Sequence, residues 1–503
     1  MKRNPGTTAL MRPAAGLMAA LLAAGCTVVG PDYEEPTPPK PETKQWQEAG
    51  AAFAKSDGDV PAEWWTVFDD TRLNDLIDQA RTANKDLAAA RLAVRRARAL
   101  RGVAESRFLP GVGAGGSARF EHDSETAPSP SIAKRNLDEE RDIYSASFDA
   151  AWEIDLFGGD VRALQAADRR IDASVENRRA VMLAVFAEVG RNYMELRGLQ
   201  RQIDAVERSV DLQQETVQLV QDRLDAGAAS QFDLERARAQ FRSTKARLPE
   251  LRARARAAAY RLAVLVGETP DTYSDRLLQQ KPLPLTPDVV PVGLPSEIMR
   301  RRPDIRAAER RLAAATADVG VQVAELYPDF QLFGQVGTQA LSVGDLVESA
   351  SGFGALTGMI DWPIFQGGAI RARIDAAEVD AERAAVRYEQ TVLQALGETE
   401  ETLARYAEAL NTRQELARTV AKSEQAAELA RQRYRQGAAS FVAVLDAESD
   451  LAEARRRLAQ SETRTLTRLV ALYKALGGGW DPDSAGQTES ARADSGSTAG
   501  SEG

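Results

Sequence analysis

The sequence predicts an internally duplicated, mixed α/β membrane protein in which membrane strands alternate with very long helices. Three observations predict this class. The segment Trp152–Gly159 recurs in loosened form as Ile360–Gly368, and the turn Gly227–Ser230 recurs as Gly437–Ser440. Short runs in both copies alternate apolar and polar residues, and the long stretches that follow are poor in glycine. A repeat of about two hundred residues is far longer than a solenoid repeat, so we interpret it as two copies of one domain-sized unit.

The N-terminus predicts a secreted lipoprotein. Residues 1–25 are predicted to form a lipoprotein signal peptide, because cationic residues precede a short apolar run that ends just before Cys26. That run is too short to cross a bilayer as a helix. Cys26 is the predicted lipid attachment site, and as the only cysteine of the chain it cannot form an intrachain disulfide. Residues 26–55 are predicted to be a lipidated, proline-rich tether.

The first repeat, residues 56–290, includes equatorial segments and begins with a short helical stretch that ends at Pro110. Two strands are predicted after it, at about 111–122 and 141–157. Between Tyr144 and Leu156 every second residue is apolar. Such alternation places one face of a strand against apolar surroundings and the other against water. The run is long enough for the ~9–11 residues with which a strand crosses a bilayer. The alternative is an edge sheet of a soluble domain.

The second repeat, residues 291–480, has its predicted strands at about 329–341 and 353–365. The residues that we expect to contact lipid are Phe148, Trp152, Ile154, Ile360, Trp362 and Ile364. The acidic residues expected on the opposite face are Asp149, Glu153 and Asp155. Two strands per copy make four per chain, which cannot close a barrel, and lipid does not tolerate an open sheet edge. Several chains must therefore contribute to one barrel.

Two long helices follow the strands of each copy, with predicted bounds of about 160–225, 230–266, 369–435 and 440–476. Apolar residues recur at every seventh position from Leu234 and again from Val444, which predicts coiled-coil packing. At roughly 1.5 Å per residue, the longest of these helices would reach about 100 Å. The alternative is an ordinary helical bundle. Pro249 should bend the helix that contains it, because proline removes a backbone hydrogen bond.

A four-residue turn joins the long helices of each copy. The turn residues are Gly227, Ala228, Ala229 and Ser230 in the first copy and Gly437, Ala438, Ala439 and Ser440 in the second. Glycine can adopt the left-handed conformation that ends the first helix, and serine can accept from the free N–H groups that begin the second. The alternative to a binding role is that these residues serve the turn alone.

Composition excludes several classes of protein. The formal net charge is −10 without a clustered basic patch, which disfavours nucleic-acid binding. His122 is the only histidine, and the chain lacks phosphate-loop and nucleophile-elbow motifs. The sequence therefore predicts no enzyme activity, no metal site and no cofactor apart from the covalent lipid on Cys26. Residues 481–503 are rich in Ser, Gly and acidic residues and are predicted to be a disordered tail.

Several motifs occur together between residues 26 and 480. They are Cys26–Tyr33, Trp64 and Trp65 with Phe68, Arg301–Ile305, Trp362–Gly368, Arg433–Gly437 and Leu472–Trp480. With this combination the chain resembles the TolC-type outer-membrane factor family, and within it the OprM- and NodT-like lipoprotein channels of resistance–nodulation–division efflux systems. The resemblance implies a homotrimer with a twelve-stranded β-barrel that continues into an α-helical coiled-coil tunnel in the periplasm. It also implies an equatorial domain that consists of residues 57–80, residues 269–295 and the C-terminal part of the chain.

The same resemblance implies a lipid-anchored channel in the outer membrane of a Gram-negative bacterium. Such a channel passively conducts substrates from an inner-membrane resistance–nodulation–division transporter and a periplasmic adaptor (membrane fusion) protein to the exterior. The small side chains of the two turns would let the helical tips of an adaptor approach closely, so we predict that the turns contact the adaptor. Two alternatives stay open: an outer-membrane duct for type I protein secretion, and a periplasmic coiled-coil adaptor lipoprotein.

The gate of such a channel would lie near the tips of the helices. Relatives commonly carry acidic residues near the tip of the last helix pair, but Ala430–Tyr434 contains no carboxylate. The candidate gate residues in this chain are Asp222, Asp225, Arg431 and Tyr434.

Overall fold

The computed structural model describes residues 28–37, 45–50, 53–55, 58–122, 140–279 and 281–481. The predicted signal peptide, the lipid attachment site Cys26 and the tail beyond residue 481 lie outside the described residues. The chain divides into two compact units. The strand unit comprises residues 1–36, 95–173 and 309–387, and the helical unit comprises residues 37–94, 174–308 and 388–503.

Six strands and ten α-helices make up the described part of the chain. The strands are β1 (Ala54–Lys55), β2 (Gly111–His122), β3 (Glu140–Ile154), β4 (Val290–Pro291), β5 (Asp329–Ala340) and β6 (Gly352–Asp361). The helices are α1 (Thr71–Ala83), α2 (Lys85–Glu105), α3 (Gly159–Asp225), α4 (Gln231–Lys245), α5 (Leu248–Leu265), α6 (Pro270–Leu278), α7 (Pro295–Arg301), α8 (Pro303–Ala324), α9 (Ala369–Arg435) and α10 (Phe441–Ala475). The helices predicted at 160–225, 369–435 and 440–476 correspond to α3, α9 and α10.

The strand unit contains a four-stranded antiparallel sheet in the order β2-β3-β5-β6. Each copy of the repeat supplies one hairpin, β2 with β3 and β5 with β6. The two hairpins meet through β3 and β5, which pair from Tyr144 with Ala340 to Ile154 with Phe330. The outer strands β2 and β6 are therefore sheet edges, each with a single hydrogen-bonded neighbour among the described strands.

Asp155 follows β3 and caps the start of α3. Its two carboxylate oxygens accept from the backbone N–H groups of residues 158–161 at distances between 2.7 and 3.1 Å. These groups are the donors that the start of a helix leaves without an intrahelical partner. The strand predicted over 141–157 accordingly ends at Ile154, and Asp155 caps a helix rather than lying on the polar side of the sheet.

The last strand is also shorter than predicted. The expected strand 353–365 is observed as Gly352–Asp361, so Trp362 and Ile364 lie beyond the ladder. Pro363 explains the early end, because proline has no N–H group to donate to a neighbouring strand.

The helix predicted at 230–266 is two helices. The first ends at Lys245 and the second begins at Leu248. Pro249 lies in the first turn of the second helix, where its missing N–H group removes no intrahelical hydrogen bond. The proline therefore begins a helix instead of bending one.

The core of the helical unit is built around buried aromatic rings. Trp64 is fully buried and stacks on Tyr473 with 5.7 Å between ring centroids. A Cβ atom at Gly190 of α3 would lie 2.7 Å from the Trp64 ring, and one at Gly198 would lie 2.0 Å from Thr463 Oγ1. The two glycines of α3 therefore let this helix pass close to the indole and to α10. The unit also holds a small parallel sheet of β1 and β4.

Long helices dominate the described chain, and none of them is both long and apolar enough to cross a membrane. The two longest, α3 and α9, each run for 67 residues and carry charged side chains throughout. The described residues also contain no group of three or more His, Cys, Asp or Glu side chains that could hold a metal ion.

Candidate functional site

One face of the four-stranded sheet carries mostly apolar side chains. Residues that pair directly across two strands share a face of the sheet. The register joins Phe148 to Val336, and it joins Ile154 through Phe330 to Ile360. We call this surface the apolar face; its large members are Val112, Phe120, Tyr144, Phe148, Trp152, Ile154, Phe330, Leu332, Val336, Leu356 and Ile360. The structure thus brings Phe148, Trp152, Ile154 and Ile360, four of the predicted lipid-facing residues, onto one surface.

The apolar face is uncovered in the single chain. Phe148 is 62% exposed, and Val112 and Leu356 are also exposed. Soluble monomers rarely expose so continuous an apolar surface. An edge sheet of a soluble domain would need a covering layer, and the described residues provide none over these side chains.

The opposite face of the sheet is polar. Its polar members are Ser117, Arg119, Glu121, Arg141, Ser145, Ser147, Asp149, Glu153, Gln331, Gln335 and Gln339. Hydrogen bonds cross the strands on this side, between Ser117 Oγ and Ser145 Oγ at 2.8 Å and from Arg141 Nε to Glu121 Oε2 at 2.9 Å. Phe333 interrupts the glutamine row of β5, but the polar face as a whole suits contact with water.

Trp362 and Ile364 do not join the apolar face. Both side chains are exposed and follow the end of β6. Trp362 Nε1 donates to the carbonyl oxygen of Leu326 at 3.1 Å. A tryptophan with an apolar ring and a satisfied N–H group suits a membrane–water interface.

The turn of the first copy is held by a left-handed glycine and a serine cap. Gly227 has a φ of 73°, and the N–H group of Ala228 donates to Arg223 O at 2.7 Å, which closes α3. Ser230 Oγ accepts from the N–H group of Asp233 at 3.2 Å, and Asp233 Oδ2 accepts from the N–H group of Ser230 at 3.3 Å. This reciprocal capping box begins α4.

The turn of the second copy has the same glycine but not the same cap. Gly437 has a φ of 75°, and the N–H group of Ala438 donates to Arg433 O at 2.8 Å. Ser440 makes no side-chain cap hydrogen bond. The residue three positions on is Ala443, which has no carboxylate to complete a capping box. The serine cap predicted for both turns is therefore wrong for the second.

The alanines of the two turns differ in exposure. Ala228 and Ala438 are exposed, whereas Ala229 and Ala439 are half-buried. Ala229 packs on a small apolar core, here called the tip cluster, which consists of Val220, Leu234, Ala237, Tyr434, Phe441 and Val444. Only the first alanine of each turn is thus fully available to a partner.

The four candidate gate residues fall into two pairs. Asp222 and Asp225 are exposed and accept from the side-chain amides of Gln218 and Gln221 at 2.8 and 3.0 Å. Arg431 and Tyr434 are buried within their own chain. The structure therefore does not bring the four together at one exposed position.

Arg431 belongs to a buried polar site that the sequence reasoning missed. Its Nη2 lies 2.9 Å from Glu215 Oε2, and its Nε lies 3.7 Å from Glu448 Oε1. Thr216 Oγ1 also donates to Glu448 Oε1 at 2.5 Å. Burial raises the pKa of the Glu448 carboxyl. The sequence does contain a signal for this site. Glu448 lies seven residues after Phe441 on the apolar seam of α10, where a charged residue is unexpected.

Arg223 was also missed, and it holds the two tips together. Its guanidinium lies over the Tyr434 ring, 4.6 Å from the centroid. It donates to the carbonyl oxygen of Tyr434, and to that of Arg435 at 3.2 Å. These carbonyls belong to the last turn of α9, where a cation is favourable. Arg223 of the first copy therefore caps the long helix of the second.

Comparisons with known proteins identify the family that has this architecture. The model of the outer membrane efflux protein family matches residues 76–268 and 294–478, once in each predicted repeat. The chain belongs to the outer membrane efflux protein family. The pyoverdine export outer membrane protein OpmQ of Pseudomonas putida is 32% identical over 89% of this chain and 95% of its own length.

Solved structures of outer membrane efflux proteins share the fold. The outer-membrane channel OprN superposes with a TM-score of 0.82 at 34% identity, covering 90% of this chain and 99% of OprN. VceC of Vibrio cholerae superposes with a TM-score of 0.75 at 27% identity, covering 84% of this chain and all of VceC. The family confirms the predicted outer-membrane location and efflux-channel function. Members of the family are channels rather than enzymes. Because they are outer-membrane proteins, the match also favours a channel over a periplasmic adaptor.

Proposed function

We propose that three copies of this chain form one outer-membrane channel of a tripartite efflux pump. Twelve strands would close a barrel, and the long helices would continue it as a coiled-coil tunnel in the periplasm. The observation that carries this proposal is the four-stranded amphipathic sheet with two open edges. Unpaired backbone groups at a sheet edge are not tolerated in lipid, and a closed barrel removes them.

The two faces of the sheet support a division between lipid and lumen. In the closed barrel the apolar face would contact lipid, and the polar face would line a water-filled passage. Substrates would move passively through that passage from an inner-membrane resistance–nodulation–division transporter and a periplasmic adaptor. Relatives are named for pyoverdine export, toluene efflux and cation efflux, so we propose no single cargo.

The channel proposal is tested on the full-length, membrane-extracted protein. Native mass spectrometry in detergent should give the mass of a trimer, and the same sample should conduct ions across a planar bilayer. The gene should also restore drug resistance to a strain that lacks its own efflux channel. A stable monomer without conductance would overturn the proposal.

We propose that lipid on Cys26 anchors the chain beside the sheet. Support comes from the segment that follows Cys26, which is held against the strand unit. The N–H group of Val29 donates to Phe157 O at 3.0 Å. The buried Arg162 donates to Val29 O at 3.0 Å and to Asp32 Oδ1 at 2.9 Å.

Mass spectrometry of the mature N-terminus tests the anchor. Acyl chains on Cys26 are expected, and dual acylation holds a protein to a membrane more firmly than one chain does. The Cys26→Ser variant should lose the lipid mass. An unmodified Cys26 in the mature wild-type protein, or cleavage elsewhere, contradicts the anchor.

The two turns are our proposed contact with the periplasmic adaptor. Support comes from the small, exposed side chains of Ala228 and Ala438, each beside a left-handed glycine. A bulky side chain there should block close approach of another helix pair without disturbing the chain itself. Ala229 and Ala439 are poorer test positions, because they are half-buried.

The adaptor contact is tested with Ala228→Trp and Ala438→Trp. Both variants should form normal trimer and lose most drug efflux. Ala239→Trp, at an exposed position farther along α4, is the matched control and should keep efflux. Full efflux from both turn variants would show that the adaptor docks elsewhere.

For the gate we propose Asp222 and Asp225, because their carboxylates are exposed near the turn. Arg431 and Tyr434 would act indirectly, by holding the tip in place. The double change Asp222→Asn with Asp225→Asn should let a large antibiotic enter cells while trimer level stays normal. An unchanged antibiotic susceptibility would remove these residues from the gate.

A further inference from the structure

The helical unit contains a cavity whose lining is cationic, although the chain as a whole is acidic. We propose that this cavity, between α3, α5 and α10, binds anionic groups such as carboxylates, and that Arg254 and Arg464 bind them. This inference rests on the proposed channel and adds to it a class of substrate, namely organic anions that pass the cavity on their way out.

Four helices of the helical unit lie side by side, in the order α5, α3, α10 and α9. Ion pairs join each helix to the next; they include Arg261–Glu195 at 3.0 Å, Arg201–Glu462 at 3.1 Å and Arg455–Glu424 at 2.8 Å. The four helices therefore form one layer, which has two faces.

One face of this layer is covered by a segment that precedes the sheet in the sequence. The Tyr193 hydroxyl of α3 donates to Asp70 Oδ2 at 2.6 Å. Tyr473 of α10 stacks on Trp64, with 5.7 Å between the ring centroids. Both tyrosines are fully buried by these contacts. We call the side on which they lie the covered face.

The cavity lies on the opposite side of the layer, here called the open face. An α-helix turns about 100° per residue, so residues two or nine positions apart lie on opposite sides of it. Arg191 precedes Tyr193 by two residues, and Arg464 precedes Tyr473 by nine. Both arginines line the cavity, and both are exposed.

The lining of the cavity suits an anion. Its volume is about 500 Å³, and its charged residues are Arg191, Arg254, Arg464 and Glu195. Three cations thus face one carboxylate. Most of the uncharged lining is also polar and consists of Gln202, Gln460, Thr463 and Thr467. A polar lining with excess positive charge favours a charged ligand over an apolar one.

Two of the three arginines are free to bind a ligand. The carboxylate of Glu195 is already paired, because it lies 3.0 Å from Arg261 and 3.6 Å from Arg191. The side chains of Arg254 and Arg464 form no hydrogen bond or ion pair with a described residue. A guanidinium group binds a carboxylate or phosphate through two parallel hydrogen bonds.

Positive charge continues along the open face beyond the cavity. Arg468 lies one turn after Arg464, and its Nη1 donates to the carbonyl oxygen of Arg405 in α9 at 2.7 Å. Arg405 is paired with Glu401, whereas Arg464 and Arg468 have no carboxylate partner among the described residues. Burial, together with the charges of Arg464 and Arg405, lowers the pKa of the Arg468 guanidinium. An anion between these groups would relieve their repulsion.

The open face would line the passage of the proposed channel. Three such layers would supply twelve helices to the wall of the tunnel, and the segments on the covered face would lie outside it. Anions in the passage would then meet the free arginines, and the positive potential there would raise their local concentration. Conduction requires such binding to be weak enough for release.

Saturation-transfer NMR with citrate tests binding directly on the full-length protein in detergent. The double variant Arg254→Gln with Arg464→Gln should bind citrate about tenfold more weakly, because it loses two charge-assisted hydrogen-bond donors. Arg254→Lys with Arg464→Lys keeps both charges and should retain most of the binding.

The matched control removes two cations from the same helices outside the cavity. Arg256 of α5 and Lys474 of α10 are exposed, and neither lines the cavity. Arg256→Gln with Lys474→Gln changes the net charge equally and should bind citrate as the wild type does. Citrate binding that is unchanged in the variant of Arg254 and Arg464, or reduced equally in the control, overturns the site.

Planar bilayer recordings test whether the site lies in the passage. Citrate should reduce the current through the wild-type channel, and the variant of Arg254 and Arg464 should need about tenfold more citrate for the same reduction. Spermine, a cation, should affect the two proteins alike. An equal reduction by citrate in both proteins overturns the position of the site in the passage. A trimer that conducts no ions overturns the channel proposal itself, so the two failures are distinguishable.

Discussion

The two copies of the repeat have matching elements but different surroundings. Helices α3 and α9 are equally long, yet α8 covers α3, and α9 keeps an apolar stripe of Val379, Val386 and Leu393 exposed. A chain with two copies can make the contact between copies only once, so one side of each copy is left open. A difference in burial between matching helices therefore marks where another chain is expected to bind.

The tips of the two copies differ in the same sense. The Arg223 side chain donates to the carbonyl oxygens of Tyr434 and Arg435, whereas the side chain of its counterpart Arg433 is exposed and makes no hydrogen bond to a described residue. Ser230 caps α4, whereas Ser440 does not cap α10. Identical residues at matching positions of the two copies thus make different hydrogen bonds. Substitutions at these positions measure how much each hydrogen bond contributes to stability.

The largest effect is expected where both copies contribute to one surface. Phe148→Arg and Leu356→Arg each place a cation on the apolar face in the middle of a strand and should destabilise the inserted protein by ~2–4 kcal/mol near the bilayer centre. Asp149→Arg, on the polar face, should be mild. Heat-modifiable migration in a urea series measures the three variants. Equal losses from Phe148→Arg and Asp149→Arg would contradict the assignment of the two faces.

A smaller effect separates the two tip arginines. Arg223→Ala removes hydrogen bonds from a charged donor, each worth about 1.5–3 kcal/mol, and should speed amide hydrogen exchange in the last turn of α9. Arg433→Ala should leave exchange within the isolated chain unchanged. Mass spectrometry of hydrogen exchange compares them. Identical exchange in the two variants would mean that the arginines are equivalent after all.

A still smaller difference in stability is expected between substitutions of Ser230 and Ser440. Ser230→Ala should destabilise the start of α4 by about 1 kcal/mol, because it removes a capping box. Ser440→Ala should change almost nothing, because the side chain makes no cap hydrogen bond. Exchange rates of the first amides of α4 and α10 test both. A loss at Ser440 as large as that at Ser230 would show an unseen cap.

The smallest expected effect is the pH dependence that Glu448 of the second copy contributes. Burial raises the pKa of Glu448, so the folded chain holds this proton more tightly than the unfolded chain does. The tip should be most stable below the ordinary carboxyl pKa and should lose stability as pH rises toward the raised value. The neighbouring charges are Arg431, which opposes part of the shift, and Glu215.

Glu448→Gln should remove this pH dependence. Arg238→Gln, at the matching position of the first copy, is the control and should retain it. Hydrogen exchange at the tip, followed from mildly acidic to neutral pH, gives the comparison. A tip that gains stability as pH rises would reverse the predicted sign.

The periodicity of the sequence did not by itself predict where several strands and helices end. Alternation between Tyr144 and Leu156 predicted which residues share a face, because a strand turns its side chains to alternate sides whatever it packs against. It did not predict that Asp155 would leave the strand to cap α3. Pro363 was readable as the end of β6, since proline cannot donate to a ladder, but the alternation continued past it.

The amino-acid sequence by itself determined the duplication, the alternating strands, the long helices, the glycine turns and the membership of an efflux channel family. These features depend on local periodicity, backbone preference and motif spacing. Only the tertiary structure decided that the hairpins meet through β3 and β5, that Arg431 and Glu448 are buried together, and that α9 is left uncovered. Those outcomes depend on residues far apart in the chain, whose contacts a local pattern does not specify.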